Sequence, residues 1–418
     1  MSIRGRRVLA GGACALTIGA ALVWTTEQQA SAPASTTGLV HHHIRPQDLP
    51  PADHTPSADN TPVVIPQPPD AKLTMPPGFE ATTFAEGDFQ RPRWMALAPN
   101  GDVFLTDADA NTVVVLRDKD KDGKAEERFT FASSLLKPFG MAFRPGWFYV
   151  ANTNGIVRFT YKDGQTAAEG EPEKIADLPG RGYREHWTRN IRFSPDGTKL
   201  YVTIGSESNG DPEPEPRATI QRMNPDGTGR ETVATGTRNP VGLDFHPRTK
   251  RLWAAVQERD KLGDDVPPEY VTEIKGGGFY GWPYAYTGPI EDPRHKGKRP
   301  DLVRRAILPD VLIQAHSSVL GLEFYEGRMF PPAYKGGAFV ALRGSANRAK
   351  RTGYKLIHIP FKDGLPRGGY DDFLTGWMLG EDKKEVWGRP VGLLELEDGS
   401  LLVTDDGAKK VWRVSYRK

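Results

Sequence analysis

The chain has 418 residues, a formal net charge of +2 and one cysteine. Near-balanced charge gives no general reason to expect nucleic acid or an anionic surface as partner. Cys14 lies in an apolar N-terminal run, so the remainder can hold no disulfide, catalytic thiol or thiolate metal site. The 45 glycines and 36 prolines suit many short strands joined by turns.

In chain order, MSIRGRR places three arginines ahead of an apolar run from Val8 to Trp24. This is the layout of a secretory signal. The run also approaches the roughly 17 residues needed to cross a bilayer, so residues 1–30 read either as a cleaved signal or as a retained membrane anchor. Both readings predict export, to the periplasm or as a secreted protein, with a membrane tether in the second. Residues 31–75 are rich in Pro, Ser, Thr and Ala. Such a segment buries too little apolar surface to offset chain entropy and is expected to be a disordered, extended linker. His41, His42 and His43 within it are expected to be incidental.

From Gly78 a single phrase recurs: a cation or polar group, often Pro, an alternating apolar strand, a Pro/Asp/Gly turn and a second apolar strand. It begins at Arg91 (RPRWMALAPNGDVFLTDAD), Lys137 (KPFGMAFRPGWFYVAN), His186 (HWTRNIRFSPDGTKLYVTIG) and Arg238 (RNPVGLDFHPRTKRLWAAVQ). It returns at His316 (HSSVLGLEFYEG) and Gly388 (GRPVGLLELEDGSLLVTDDG). Period-2 alternation with hairpin turn chemistry marks paired strands, and a repeat of about 40–50 residues carrying three or four strands marks a propeller blade. Six phrases predict an all-β fold, a six-bladed β-propeller over residues 76–418. The strand in GFEATTFAEG, Gly78 to Gly87, is expected to complete the last blade and close the ring.

In a propeller the first strand of each blade lines the central channel, so the residues just before it gather at one end. Here these are Arg91, Arg93, Lys137, His186, Arg189, Asn190, Arg238, Asn239, His316 and Arg389. Several cations facing one another repel unless an anion sits among them, which predicts an anionic ligand. The alternative, that each arginine only hydrogen-bonds carbonyls of its own blade, stays open.

The ordered motifs His186, FSPDG, Arg238-Asn239-Pro240, Tyr280-Gly281-Trp282-Pro283, Arg343-Gly344-Ser345 and Arg389-Pro390-Val391 resemble the soluble quinoprotein glucose/sorbosone dehydrogenase family. The resemblance covers Gly78 to Arg417. It implies a six-bladed propeller that holds pyrroloquinoline quinone (PQQ) over the channel with the help of calcium (Ca2+) and oxidises a sugar or sugar-derived aldehyde. By position, His186 matches the general base. Arg238 and Asn239 match residues that contact the quinone oxygens, where a cation can stabilise developing charge. Arg343 and Arg389 match basic residues suited to the cofactor's carboxylates. Two positions depart from the pattern: Val241 stands where glucose-oxidising members have a glutamine, and a second family arginine falls near Trp387 or Gly388.

Calcium has two candidate loops. In QERDKLGDD the resemblance implies main-chain carbonyls around Glu258, Arg259 and Asp260, with Asp264 and Asp265 nearby. Separately, Asp118, Asp120, Asp122 and Gly123 fit the first half of a DxDxDG loop; Phe129 replaces its closing glutamate, so Glu126 or Glu127 would have to substitute. A charged hairpin turn is the plainer reading of that loop. Between the fourth and fifth phrases, an insertion bearing Tyr280, Trp282 and Tyr284 could stack on a sugar or on the quinone. The expected partners are a small-molecule sugar or aldehyde and a separate electron acceptor, with no nucleic acid. Two other readings remain: a calcium-dependent lactonase-type hydrolase, and a non-catalytic propeller that binds carbohydrate or protein.

Overall fold

The alternating phrases fold into four-stranded antiparallel sheets, because each strand has one face to bury and a turn to bring its neighbour back. The computed structural model describes residues 40–180 and 186–417. Blade 1 runs through Pro92–Leu97, Val103–Asp107, Thr112–Arg117 and Glu127–Ala132. Blade 2 starts at Met141–Arg144, blade 3 at Ile191–Phe193 and blade 4 at Asn239–Phe245. Blade 5 starts at Val319–Phe324 and blade 6 at Pro390–Glu395. The ring closes as expected: Phe79–Ala85 pairs antiparallel with Lys410–Tyr416 and supplies the outer strand of blade 6.

Two recurring letters of the phrase have direct structural causes. The glycine of FGM, VGL, LGL and VGL lets adjacent inner strands nearly touch. A Cβ on Gly242 would lie 2.5 Å from the Leu320 carbonyl oxygen, on Gly321 2.4 Å from that of Val391, and on Gly392 2.4 Å from that of Arg93. The acidic or amide residue ending the second strand accepts the amides that lead into the first. Asp107 takes those of Gln90 and Arg91 at 2.8 and 2.6 Å, and Asp405 takes that of Arg389 at 2.6 Å. Between blades the core is apolar and aromatic; Phe104, Phe131, Phe148, Phe159 and Tyr161 cluster between blades 1 and 2.

Residues 40–75 are not a free linker. They form an arm laid along blades 4 to 6. His41–His42 adds a short strand to the outer edge of blade 5, Val63–Val64 pairs parallel with Glu385–Val386, and Thr74 bridges Thr375. The composition argument fails because the arm takes its stability from backbone hydrogen bonds to loops rather than from a core of its own. The histidines are not incidental either. His41 Nδ1 lies 2.8 Å from Asp371, His42 Nε2 lies 2.9 Å from Asp372, and the His42 ring stacks on Tyr370. The N-terminal apolar run lies outside the described residues. Among those described, no helix is long and apolar enough to cross a membrane.

Candidate functional site

Inner strands descend from the mouth of the channel, so their preceding residues and the loops after each second strand share the mouth. An apolar layer of Trp94, Phe139, Trp187, Val241, Leu320 and Val391 floors it. Val241 is fully buried in this layer, so at this position the floor offers no side-chain donor.

On the side of blades 5, 6 and 1, three guanidiniums converge on one carboxylate. Asp406 accepts from Arg93 at 2.5 Å and from Arg343 at 2.8 and 3.1 Å, and the Arg389 charge lies near enough to act on it. Despite burial, these cations hold the Asp406 carboxyl far below the usual range. Burial and the neighbouring Arg343 charge depress Arg389 to about 9, and burial depresses Arg93 to about 10. A guanidinium remains charged at neutral pH, so these depressions measure an electrostatic cost that one further anion would offset. Beside them, Asp109 pairs with Lys137 at 2.6 Å and Arg91 at 3.2 Å. A cleft of about 660 Å³ opens here, lined by Arg91, Asp109, Arg343, Arg389 and Asp406 and walled by Val64–Gln67 of the arm. The ring of cations therefore carries internal counter-ions, two carboxylates among the described residues on this side.

On the side of blades 3 and 4 stands His186. Its Nδ1 lies 2.8 Å from the Ser206 carbonyl oxygen and 2.9 Å from Ser206 Oγ. That hydroxyl gives its own proton to the Ser208 carbonyl at 2.7 Å. Both partners of Nδ1 are therefore acceptors, which fixes the proton on Nδ1 and leaves the lone pair on Nε2. Burial and the Arg238 charge push the imidazole down to about 3, so it is neutral at physiological pH. Gly205 makes the packing fit, since a Cβ there would lie 2.3 Å from Asn239 Oδ1 and 2.5 Å from His186 Cβ.

Arg238 is buried and held by carbonyl and amide oxygens: Nε to Asn209 O at 3.0 Å, one terminal nitrogen to Glu258 O at 2.6 Å, the other to Asn209 Oδ1 at 2.9 Å. Asn239 donates to Gln257 at 2.7 Å, and its buried Oδ1 has no protein partner. His316 faces acceptors with both nitrogens, Asp260 at 3.1 Å and Gly263 O at 2.9 Å; these bonds raise it above its ordinary value in spite of burial. It pins the 260–263 loop. Arg189 is a correction. It is fully buried, and its guanidinium serves the carbonyls of Pro179, His186 and Thr188. These carbonyl bonds favour the alternative reading for this arginine, although the Pro179 carbonyl comes from the segment that joins blades 2 and 3. The two sides meet at Arg93, whose guanidinium lies over the Trp187 ring at 5.2 Å.

Residues 147–347 match the glucose/sorbosone dehydrogenase family model, and residues 301–417 match a TrAA12-like model. The resemblance to the glucose/sorbosone dehydrogenase family holds. The solved structures share the propeller. A calcium structure of Trichoderma reesei carbohydrate-active enzyme family AA12 is 19% identical with a TM-score of 0.72, covering 86% of this chain and 99% of that one. The holo PQQ domain of a Coprinopsis cinerea pyranose dehydrogenase is 19% identical, TM-score 0.70, covering 84% and 98%. An uncharacterized protein of Borreliella burgdorferi is 29% identical over 360 residues, 83% of this chain and 91% of its own.

Against the glucose/sorbosone dehydrogenase pattern, the structure gathers His186, Arg238 and Asn239 in one half of the mouth and Arg343 and Arg389 in the other. The two calcium loops fare differently. Around 258–260 the Glu258 carbonyl takes Arg238 and the Asp260 carbonyl takes Asn209, while the buried Glu258 Oε1 has no hydrogen-bond partner among the described residues. Arg259 turns aside to a buried ion pair with Asp292 at 2.5 Å. Burial pushes Glu258 up to about 8, so it is largely protonated near neutrality. Calcium takes several hard, charged oxygens, so an ion here would have to displace the Glu258 proton. In the other loop, Asp118, Asp120, Asp122 and Glu126 bring one ligating oxygen each to within 4.8 Å of one another. Glu126 takes the closing role, while Glu127 faces Arg117 and Lys119. This loop follows a third strand and so stands at the far end from the mouth.

Of the insertion aromatics, Tyr284 is half-buried against Arg299 and His295, and the other two serve the packing. Trp282 is buried and donates to Asn209 O at 3.0 Å, and the buried Tyr280 hydroxyl donates to Glu273 O at 2.6 Å. Sequence reasoning missed Asp109 and Asp406, the counter-ions, and Ser206, which sets the imidazole tautomer. The available signal for the two aspartates was a second acidic residue just past the shared LTD/VTD strand end, Asp109 in LTDAD and Asp406 in VTDDG.

Proposed function

We propose that this chain is a PQQ-dependent oxidoreductase acting on a sugar or sugar-derived aldehyde, with His186 as general base. The observation that carries the reading is three guanidiniums, Arg93, Arg343 and Arg389, around the one carboxylate of Asp406, in the same mouth as an imidazole whose Nδ1 bonds leave the lone pair on Nε2. The donor set fits a planar polycarboxylate: Arg343 and Arg389 would hold its carboxylates, and Arg238 and Asn239 would stand beside its carbonyl oxygens. PQQ, when bound, supplies the two-electron acceptor for hydride from the sugar carbon.

The chain supplies the proton chemistry and the shape. His186 Nε2 takes the proton of the substrate hydroxyl, while Ser206 holds the ring through Nδ1 and stabilises the imidazolium that forms. An anionic ligand among the arginines raises the basicity of His186 from its depressed value, in the direction catalysis needs. The apolar floor closes the channel below the reacting groups. A separate electron acceptor then re-oxidises the enzyme, and export remains the proposed location. Calcium is proposed for the 118–126 loop, in a structural role, and no step is assigned to it.

A lactonase-type hydrolase is disfavoured because the mouth carboxylates Asp109, Asp260 and Asp406 are each paired with cations. The test is PQQ-dependent dye reduction across a panel of aldoses and sorbosone. Turnover that His186→Ala abolishes supports the reading; absence of PQQ-dependent turnover on every sugar and aldehyde tried would sink it. A non-catalytic carbohydrate binder would retain sugar affinity in the same variant and show no dye reduction in either protein.

A further inference from the structure

The arm touches three of the loops that carry the mouth's charged groups. Asp53 donates its amide to Leu262 O at 2.8 Å, and Thr55 Oγ1 accepts from the Asp264 amide at 2.8 Å, both in the loop that holds Asp260. Asn60 donates its backbone amide to Ala346 O at 2.6 Å and its side-chain amide to Ala349 O at 2.8 Å. These carbonyls belong to the loop beginning at Arg343. The Val63 and Ile65 amides bond the carbonyls of Lys384 and Val386, just ahead of Arg389.

One buried residue gathers these ties. Arg351 is 2% exposed, and its guanidinium reaches Asn60 Oδ1 at 2.8 Å, Lys383 O at 2.6 Å, Ser345 O at 3.3 Å and the Tyr354 hydroxyl at 3.3 Å. The Tyr354 ring lies under the Arg389 guanidinium at 5.8 Å and packs against Gly344, where a Cβ would come within 2.3 Å of it. Arg389 in turn reaches the carbonyls of Arg343 and Gly344 at 3.4 and 3.3 Å. Asn60 is thus joined to Arg389 through two buried side chains. Losing Asn60 would leave a desolvated guanidinium short of an acceptor, a situation that buried polar groups do not tolerate without rearranging.

We propose that the arm is part of the binding site: Asn60 and Arg351 are positioning residues that set the loops presenting Arg343 and Arg389, and Val64–Gln67 form one wall of the ligand cleft. The ligand assignment rests on the oxidoreductase reading, but the positioning role does not.

The experiment uses the full chain as wild type, Asn60→Ala and Asn60→Asp, the last of which keeps the oxygen that Arg351 needs. Amide hydrogen exchange is followed without cofactor, and PQQ affinity is measured by titration. In Asn60→Ala, exchange should speed up at least tenfold in residues 343–351 and 384–389 while the inner strands stay protected. The PQQ Kd should rise about tenfold, with turnover at saturating PQQ retained, and Asn60→Asp should recover most of both losses. Unchanged exchange in those two loops, or faster exchange spread evenly over the propeller, would overturn the positioning role. Loosened loops with an unaltered Kd would overturn the link to the cleft. A wild-type protein that binds no PQQ would refute the oxidoreductase reading, and the exchange data would still decide the role of the arm.

Discussion

The two halves of the mouth use arginine in opposite ways. On the side of blades 3 and 4, Arg238 has each of its donor nitrogens on an oxygen of Asn209 or Glu258. On the side of blades 5, 6 and 1, Arg93 and Arg343 bond the single carboxylate of Asp406, and the Arg389 charge acts on it from nearby. A guanidinium satisfied by carbonyls is a scaffold, whereas three guanidiniums on one carboxylate leave positive charge for a ligand. Counting arginines at blade starts cannot tell these apart; their acceptors can.

The comparison is broken most severely at Asp406. Asp406→Ala leaves buried guanidiniums unpaired and should cost about 3–5 kcal/mol of stability, read as a denaturant midpoint shift at unchanged slope. A loss under about 1 kcal/mol would mean that the three cations are solvated enough not to need it. Arg238→Gln should come next, destabilising the fold by about 1–3 kcal/mol because it strands buried oxygens of Asn209 and Glu258. Arg343→Gln should leave stability within about 0.5 kcal/mol yet weaken PQQ binding at least tenfold. Equal stability losses for Arg238→Gln and Arg343→Gln would erase the distinction between the halves.

His186 sharpens it further. With its pKa at about 3 against 6.5 unfolded, the unfolded chain binds the extra proton between those values. Folding stability should therefore fall as pH drops below 6.5, with the cost complete only near pH 3. In the cofactor-free protein the His186 resonances should stay neutral from pH 8 to about pH 4, and Arg238→Gln should move the midpoint upward. A wild-type midpoint near 6.5 would contradict the site described above. The smallest effect is expected at the far end: calcium chelation should lower Tm by a few degrees, about 1 kcal/mol, and leave PQQ affinity unchanged.

The propeller was legible because each blade repeats the same turn and alternation, and four of the six the same glycine, so the copies reinforce one reading. The placement of His186, Arg343 and Arg389 at one end of the channel was legible as positions in a motif order. What stayed hidden were relations between distant residues. Nothing local to Asp406 announces three arginines from blades 5, 6 and 1, and Arg189 looks like a site cation until Pro179 is seen to claim it. The arm misled for a different reason. Its proline-rich composition describes what it cannot do alone, whereas Asn60 and Arg351, 291 residues apart, supply what holds it.

The most direct test of the division between charge-bearing and proton-handling halves is an equilibrium titration with PQQ of the wild type, His186→Ala and the Arg343→Gln/Arg389→Gln double variant. The account predicts near wild-type affinity in His186→Ala, with turnover lost, and a loss of at least a hundredfold in the double variant. Unimpaired binding in the double variant, or binding that depends on His186 instead, would contradict it.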